Sequence, residues 1–234
     1  MPGFILHITA AQMLFKKIYN ASDIIAPDAF QVGNLIADSV SDKTQSHFRH
    51  PNRHEKLMVY PDLDLFLNKY KYLLSDDSCL GYYYHLFIDR VYAKDYIPQI
   101  VNFYTENGLE ASDRKDITHA LIKRTGELVP IKTFFSDEYY YGDFTKLNTY
   151  LIDRFNLSTD LVYDVVNPGI EEVDYANIVK IQEQLQRYLD VPADAVNGLK
   201  VFDIEDLLEF LDKAAMGFAE MIMHNNSKRS RLLP

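Results

Sequence analysis

The sequence is poor in cysteine and in long apolar runs. Cys79 is the only cysteine among 234 residues, which excludes a disulfide framework and a cysteine-rich zinc site. No apolar run approaches the ~20 residues that a membrane-spanning helix requires, so we expect no transmembrane segment. With nine glycines, nine prolines and no low-complexity tract, the chain is also not expected to contain long disordered linkers.

Positive charge is scarce as well. Lys and Arg total 24 against 34 Asp and Glu, which gives a net charge of −10. A duplex nucleic-acid binder needs a basic surface over the phosphates, so we expect no such partner. A phosphate ester bound through metal ions stays open, because the ions supply local positive charge. Residues 1–11 lack the basic start of a signal peptide and include His7, which favours a cytoplasmic protein.

Helical periodicity is the main pattern that the sequence does contain. Its length and its 47% apolar content fit a single domain over 1–234 with one core, and they leave the oligomeric state open. Residues 39–60 are polar and predict a loop. Leu128–Phe135 has the pattern of a strand, but Pro130 and its isolated setting argue against one. We therefore predict an all-α fold. The predicted helices cover residues 4–19, 27–38, 62–74, 80–92, 95–106, 113–123, 143–155, 170–190 and 203–224.

The predicted helix over 80–92 carries the most informative side chains. It is apolar on more than one face, which predicts that it is central and buried. His85 and Asp89 lie four residues apart and so project from one face of it. A buried carboxylate needs a partner, and a divalent metal would satisfy both side chains. A buried His–Asp hydrogen bond, or a surface pair on a less buried helix, would explain the same spacing.

Three further residues extend this pattern towards the start of the chain. His7 lies among apolar residues of the first predicted helix, Asp38 ends a short apolar segment, and His47 follows nine residues later. The order His7, Asp38, His47, His85, Asp89 resembles the zinc-dependent phospholipase C family, which is related to the single-strand-specific zinc nucleases. The resemblance covers residues 3–95, whereas the helical remainder over 96–234 matches no recognised motif. It divides the predicted domain into a metal-site half, 1–95, and that remainder.

The resemblance implies a multi-helix phospholipase C-like bundle around a central metal-binding helix. It implies that Asp38, His47, His85 and Asp89 bind one zinc-type ion, and that Asp89 bridges to a second ion that His7 also binds. Another divalent transition metal would suit the same ligands. There is no histidine between His85 and His119 and no His–Glu pair at helical spacing after the central helix. At most two ions are therefore implied.

The predicted function is that of a metal-dependent hydrolase acting on a phosphate ester, with a small phosphate ester or a lipid head group as substrate. Asp38 is predicted to orient the attacking water as a base, in addition to binding metal. Lys43, Arg49 and Arg53 are close to Asp38 and His47 in sequence and are predicted to neutralise phosphate oxygens. The alternative is a metal-stabilised helical binding protein without turnover. An HD-type hydrolase is disfavoured because the chain has no adjacent His-Asp pair.

The other histidines and one run of tyrosines receive simpler interpretations. His50 and His54 are predicted to be solvated loop residues, His119 to lie within a helix, and His224 to be exposed. Residues 139–141 are three consecutive tyrosines. They are predicted either to cover the cleft of the site or to pack a loop against the core.

Overall fold

Helices form most of the structure, which is a computed structural model that describes residues 3–18, 24–187 and 191–230, with side chains described through residue 224. The mainly helical prediction is confirmed. Within these ranges no helix is long and apolar enough to cross a membrane. Residue 19 of the first predicted helix and residues 188–190 of the predicted helix over 170–190 lie outside the described residues. The helices are α1 Phe4–Ile18, α2 Pro27–Ile36, α3 Lys43–Ser46, α4 Leu63–Tyr70, α5 Asp77–Val91, α6 Ile97–Ile100, α7 Ile131–Phe134, α8 Tyr140–Phe155, α9 Ile178–Arg187 and α10 Ile204–Ser230.

A small antiparallel sheet interrupts the helical pattern, so the all-α prediction agrees with the structure only roughly. Its strands are β1 Val101–Tyr104, β2 His119–Ile122 and β3 Glu127–Pro130, paired in the order β1-β2-β3. The helix predicted over 95–106 ends at Ile100, and the one predicted over 113–123 is replaced by β2 and the loop before it. His119 therefore lies on a strand and not within a helix.

The β2–β3 hairpin has a simple local cause. Gly126 adopts a φ of +72°, and its N–H donates to the carbonyl of Ile122 at 2.8 Å, which closes the turn. Buried Ala120 and Ile122 alternate with half-buried neighbours on β2, as a strand with one covered face requires. Pro130 is tolerated because it is the last residue of the edge strand β3, where a missing N–H costs little.

Helix α5 lies at the centre of the helical layer, as predicted. It begins after Asp76, whose carboxylate accepts hydrogen bonds from the N–H groups of Ser78 and Cys79 at 2.9 and 3.0 Å. Two of its buried tyrosines donate hydrogen bonds to neighbouring backbone: Tyr84 to the carbonyl of Ala10 in α1 at 2.8 Å, and Tyr82 to that of Ser46 at 2.6 Å. Helix α5 thereby holds both α1 and the loop around residue 46 in place.

Helices α2 and α5 pack with their backbones in direct contact. A Cβ atom added at Gly33 would lie 1.8 Å from the carbonyl oxygen of Ser78, and one added at Gly81 would lie 2.0 Å from that of Phe30. Only glycine fits at these two positions, because the obstructing atoms are backbone and cannot rotate away. This close approach brings the α2 backbone next to the side chains that α5 carries.

Replacing Gly81 by alanine should disrupt this contact. We expect Gly81→Ala to lower the free energy of unfolding by about 3 kcal/mol or more, because the new methyl group overlaps backbone. The control is Gly217→Ala in α10, where an added Cβ meets nothing within 4 Å. That change should raise stability by about 0.5–1 kcal/mol through helix propensity. Urea unfolding measures both, and equal effects of the two substitutions would contradict the close α2–α5 contact.

Candidate metal centre

Helix α5 supplies His85 and Asp89, both fully buried and one turn apart. The Nδ1 atom of His85 lies 2.8 Å from the carbonyl oxygen of Asn34 in α2. A carbonyl only accepts hydrogen bonds, so Nδ1 carries the proton and the Nε2 lone pair points to the other side of the ring. Burial, together with the neighbouring His7, lowers the pKa of His85 to about 3. The imidazole is therefore neutral and ready to bind a cation at Nε2.

The segment between α2 and α4 positions His47 beside His85 and Asp89. Its predicted loop contains the short helix α3, which begins after the capping carboxylate of Asp42. Phe48 ends that turn with a φ of +48° and packs edge-on against Phe66, with ring centroids 5.2 Å apart. A left-handed residue is a common helix terminator. The reversal turns His47 inwards, where it is fully buried between Ser46 and Phe48, which are buried as well.

Four donor atoms then converge at separations that suit one metal ion. Nε2 of His47 lies 3.1 Å from Nε2 of His85, 3.1 Å from Oδ1 of Asp38 and 3.3 Å from Oδ2 of Asp89. Nε2 of His85 lies 4.0 Å from the same Asp38 oxygen and 3.6 Å from the same Asp89 oxygen. Tetrahedral zinc with bonds of about 2.0–2.1 Å separates neighbouring ligand atoms by about 3.3–3.4 Å. The separations of His47 Nε2 from its three neighbours are close to this value, and those of His85 Nε2 from the two carboxylates are somewhat longer.

The charges of the cluster also favour a cation. Neither carboxylate oxygen of fully buried Asp89 has a hydrogen-bond partner within the described residues. Burial would raise the pKa of Asp89, but His85, His47 and His7 lower it overall. Burial likewise opposes ionisation of Asp38, whose pKa is nevertheless held well below its ordinary value by His47, His85 and Lys43. Lys43 offsets part of the charge of these two buried carboxylates at Asp38, and a bound cation would offset the remainder.

His7 lies on the opposite side of Asp89 from this set. Its fully buried ring stacks on His85, with centroids 4.0 Å apart, and its Nε2 lies 3.5 Å from Oδ1 of Asp89. Neither ring nitrogen has a hydrogen-bond partner among the residues that the structure describes. His85 has only Nε2 available, so it cannot also serve an ion next to His7. A second ion would therefore rest on His7 and Asp89 Oδ1, which is the predicted bridging arrangement.

The predicted phosphate-binding residues divide into three environments. Lys43 contacts Oδ1 of Asp38 directly, so its charge already has a partner in the cluster. Arg49 is half-buried: burial lowers its pKa, while Asp89 and Asp38 act in the opposite direction, which places it near both carboxylates. Arg53 is not brought to the cluster. It lines a separate cavity of about 350 Å³ and lies over the ring of Tyr60, 4.3 Å from its centroid.

A cavity of about 360 Å³ is lined by Arg49, Arg114, Tyr140 and Tyr141, among others. Arg49 follows His47 by two residues, and the hydroxyl of buried Tyr140 lies 3.1 Å from that of Tyr92, the residue after α5. Tyr139 instead donates a hydrogen bond to Glu127 at 2.7 Å. Two members of the tyrosine run therefore line a cavity, and the first packs against the sheet.

Sequence reasoning missed three residues around the cluster. Asn34 orients His85 through its backbone carbonyl, and its side chain donates to the carbonyl of His7 at 3.0 Å. The hydroxyl of Ser46 lies 2.9 Å from Nδ1 of His47. A backbone carbonyl has no signature in sequence, and serine is too common to signal such a contact. Arg114 lies far from the motif residues along the chain, so proximity in sequence could not identify it.

The remaining histidines lie away from the cluster. His54 and His224 are exposed, as predicted. His50 is half-buried, and its Nδ1 accepts a hydrogen bond from the N–H of Asn52 at 3.1 Å, so it stabilises a local turn. These side chains provide comparison positions for tests of the cluster.

Comparison with known proteins does not assign the chain to a family. No protein-family model matches the chain, and neither a curated protein nor a solved structure shows significant similarity to it.

Removing a ligand of the cluster should remove bound metal. We expect Asp38→Asn, His47→Ala and Asp89→Ala to weaken zinc binding by more than the ~10–100-fold typical of changes to residues that hydrogen-bond to the ligands. His7→Ala should have a smaller effect, because His7 is not one of the four proposed ligands of this ion. Metal content by mass spectrometry and melting temperature with and without chelator measure the effect. His54→Ala is the control, and unchanged metal content in the Asp38 and His47 variants would contradict the site.

Zinc binding should release a proton at mildly acidic pH. Burial lowers the pKa of His47, but Asp38 and Asp89 raise it overall above its ordinary value of 6.5. The protonated form stabilises the metal-free fold at low pH, and that contribution is lost as the pH rises through the raised pKa. A metal ligand must be deprotonated, so zinc affinity should rise about tenfold per pH unit up to this pKa and then level off.

Calorimetry in two buffers of different ionisation enthalpy counts the released protons. We expect about one proton per zinc ion at pH 6 and close to none well above the His47 pKa. Affinity that does not change between pH 6 and pH 8 would contradict ligation by His47.

Proposed function

We propose that this protein is a metal-dependent hydrolase of a phosphate ester, with Asp38, His47, His85 and Asp89 as the ligands of a zinc-type ion. The observation that carries the proposal is that the Nε2 atoms of His47 and His85 lie within 4.0 Å of one oxygen of Asp38 and one of Asp89, and that neither oxygen of buried Asp89 has a hydrogen-bond partner in the described part of the chain. A phospholipase C-like helical bundle and a cytoplasmic location belong to the same proposal. The order of the five side chains along the sequence supports the first of these.

The chain's own residues prepare this centre in defined ways. Asn34 holds His85 in the tautomer that presents Nε2, and Ser46 can accept the Nδ1 proton of His47 when that ring binds through Nε2. When bound, the ion would lower the pKa of a water molecule from ~16 to about 7 and polarise a phosphoryl oxygen. Asp38 has a second carboxylate oxygen besides the one facing the histidines, and we assign it to orient the attacking water by accepting a hydrogen bond.

Arg49 supports a phosphate ester as the substrate. It lies close enough to Asp38 and Asp89 for their charges to act on it, and it lines the adjoining cavity. Its buried Nε has no hydrogen-bond acceptor among the described residues. A guanidinium in this position can bind phosphate oxygens in a bidentate manner and exclude uncharged substrates.

A second candidate is a helical binding protein that metal stabilises without turnover. One observation favours it: the chain offers four donors to one ion, and four protein ligands are typical of structural zinc sites, whereas catalytic sites usually keep one position for water. Turnover at such a centre requires a fifth ligand, which zinc accepts in some catalytic sites. Measured hydrolysis therefore separates the two functions.

The test is a substrate panel assayed with zinc-loaded protein. We expect hydrolysis of at least one class among phosphomonoesters, phosphodiesters and phospholipids, abolished by chelator and restored by zinc. Asp38→Asn should reduce the rate by ~10²-fold or more, as for loss of a catalytic base and ligand. His54→Ala should not change it. Stoichiometric zinc without turnover on any member of the panel would favour the binding protein.

A further inference from the structure

Two arginines contribute to the lining of the cavity that contains Arg49. It encloses about 360 Å³, with Arg49 and Arg114 contributing charge. Phe135, Tyr140 and Tyr141 form an aromatic wall, with ring centroids 5.3–5.8 Å apart. Leu57, Met58 and Val59 also line it. A pocket with apolar walls and a few converging charges is the usual form of a small-molecule site.

Backbone hydrogen bonds hold the loop that carries Arg114 in place. Its N–H donates to the carbonyl of Glu55 at 2.7 Å, and Leu57 donates to the carbonyl of Ser112 at 2.9 Å. A salt bridge of 2.6 Å between Lys56 and Asp113 joins the same two segments. These contacts tie the loop that carries Arg114 to the segment that follows Arg49. The backbone of Arg114 is thereby held at the cavity lining, and its side chain is exposed.

Neither guanidinium forms a direct ion pair within the described residues, although the charges of Asp89 and Asp38 act on Arg49. Within the described part of the chain, no ion pair or hydrogen bond of the Arg49 or Arg114 side chain occurs, and Nε of Arg49 is buried without an acceptor. Lys43, by contrast, is paired with Asp38. Two unpaired positive charges facing one cavity repel each other, so an anion between them would be bound favourably.

We propose that Arg49 and Arg114 form a dianion subsite and that the substrate is a phosphomonoester. The inference rests on the proposed function and deepens it. A zinc-type ion would neutralise Asp38 and Asp89, which leaves the two arginine charges for the substrate. A phosphomonoester carries a charge of about −1.5 to −2 at pH 7 and three acceptor oxygens. A phosphodiester carries a single negative charge and leaves one arginine uncompensated.

The aromatic wall suits the organic part of such an ester. Phe135, Tyr140 and Tyr141 offer ring faces next to the arginines, and Tyr141 is 51% exposed, so the cavity is open to an entering ligand on that side. An ester with a planar or apolar leaving group could place its phosphate between the arginines and its organic group against these rings.

Calorimetric titration of zinc-loaded protein with inorganic phosphate and with dimethyl phosphate tests the proposal. We expect inorganic phosphate to bind at least tenfold more tightly than dimethyl phosphate at pH 7.5. Arg114→Gln should weaken phosphate binding by roughly tenfold or more, since it removes hydrogen bonds to a charged group. Arg114→Lys should restore part of this affinity. Lys115→Gln is the matched control, because it removes the same charge from the next exposed residue, outside the cavity lining.

Equal effects of Arg114→Gln and Lys115→Gln, or equal affinity for the two phosphates, would overturn the subsite. Failure of the proposed hydrolase gives a different result. Phosphate binding that depends on Arg114 without zinc-dependent turnover would support the subsite and overturn the hydrolase. Zinc-dependent turnover of diesters that Arg114→Gln leaves unchanged would support the hydrolase and overturn the subsite.

Discussion

The close contact between α2 and α5 is the constraint on which the centre depends. Gly33 and Gly81 allow the two backbones to meet, and the next residue of α2, Asn34, then reaches two histidines at once. Its carbonyl fixes the tautomer of His85, and its amide group holds the backbone of His7. One polar residue in an apolar interface thus sets the orientation of the side chains that surround Asp89. The packing of α2 against α5 thus orients side chains that would bind the ion.

Charge compensation is the second requirement, and it connects stability with binding. Asp38 and Asp89 are nearly or fully excluded from water, and the protein provides Lys43 for only the first of them. The two carboxylates raise the pKa of His47, so that a proton on its ring supplies positive charge at mildly acidic pH. A divalent ion would replace that proton, because imidazole cannot hold a proton and a metal at the same nitrogen. In the proposed centre, folding, pH and metal binding would therefore be coupled through His47.

The sequence predicted the side-chain cluster better than it predicted the fold around it. His85 and Asp89 share a helix face through local spacing, and α5 is buried as its all-round apolar pattern indicates. The strands were not predicted because each is only four residues long. An apolar run of that length cannot be told apart from a segment of helix by its pattern alone. The turn at Gly126 was the available signal. Arg114 could not be predicted, because its place beside Arg49 depends on loop pairing far apart in sequence.

The central claim is that one divalent ion lies between the four side chains of the cluster. Crystallography at the zinc absorption edge tests it directly, because anomalous scattering locates the element independently of the protein atoms. We expect a single strong peak about 2.0–2.2 Å from donor atoms of Asp38, His47, His85 and Asp89. Crystals grown with zinc that show no peak there, with the four side chains joined by direct hydrogen bonds, would contradict the account.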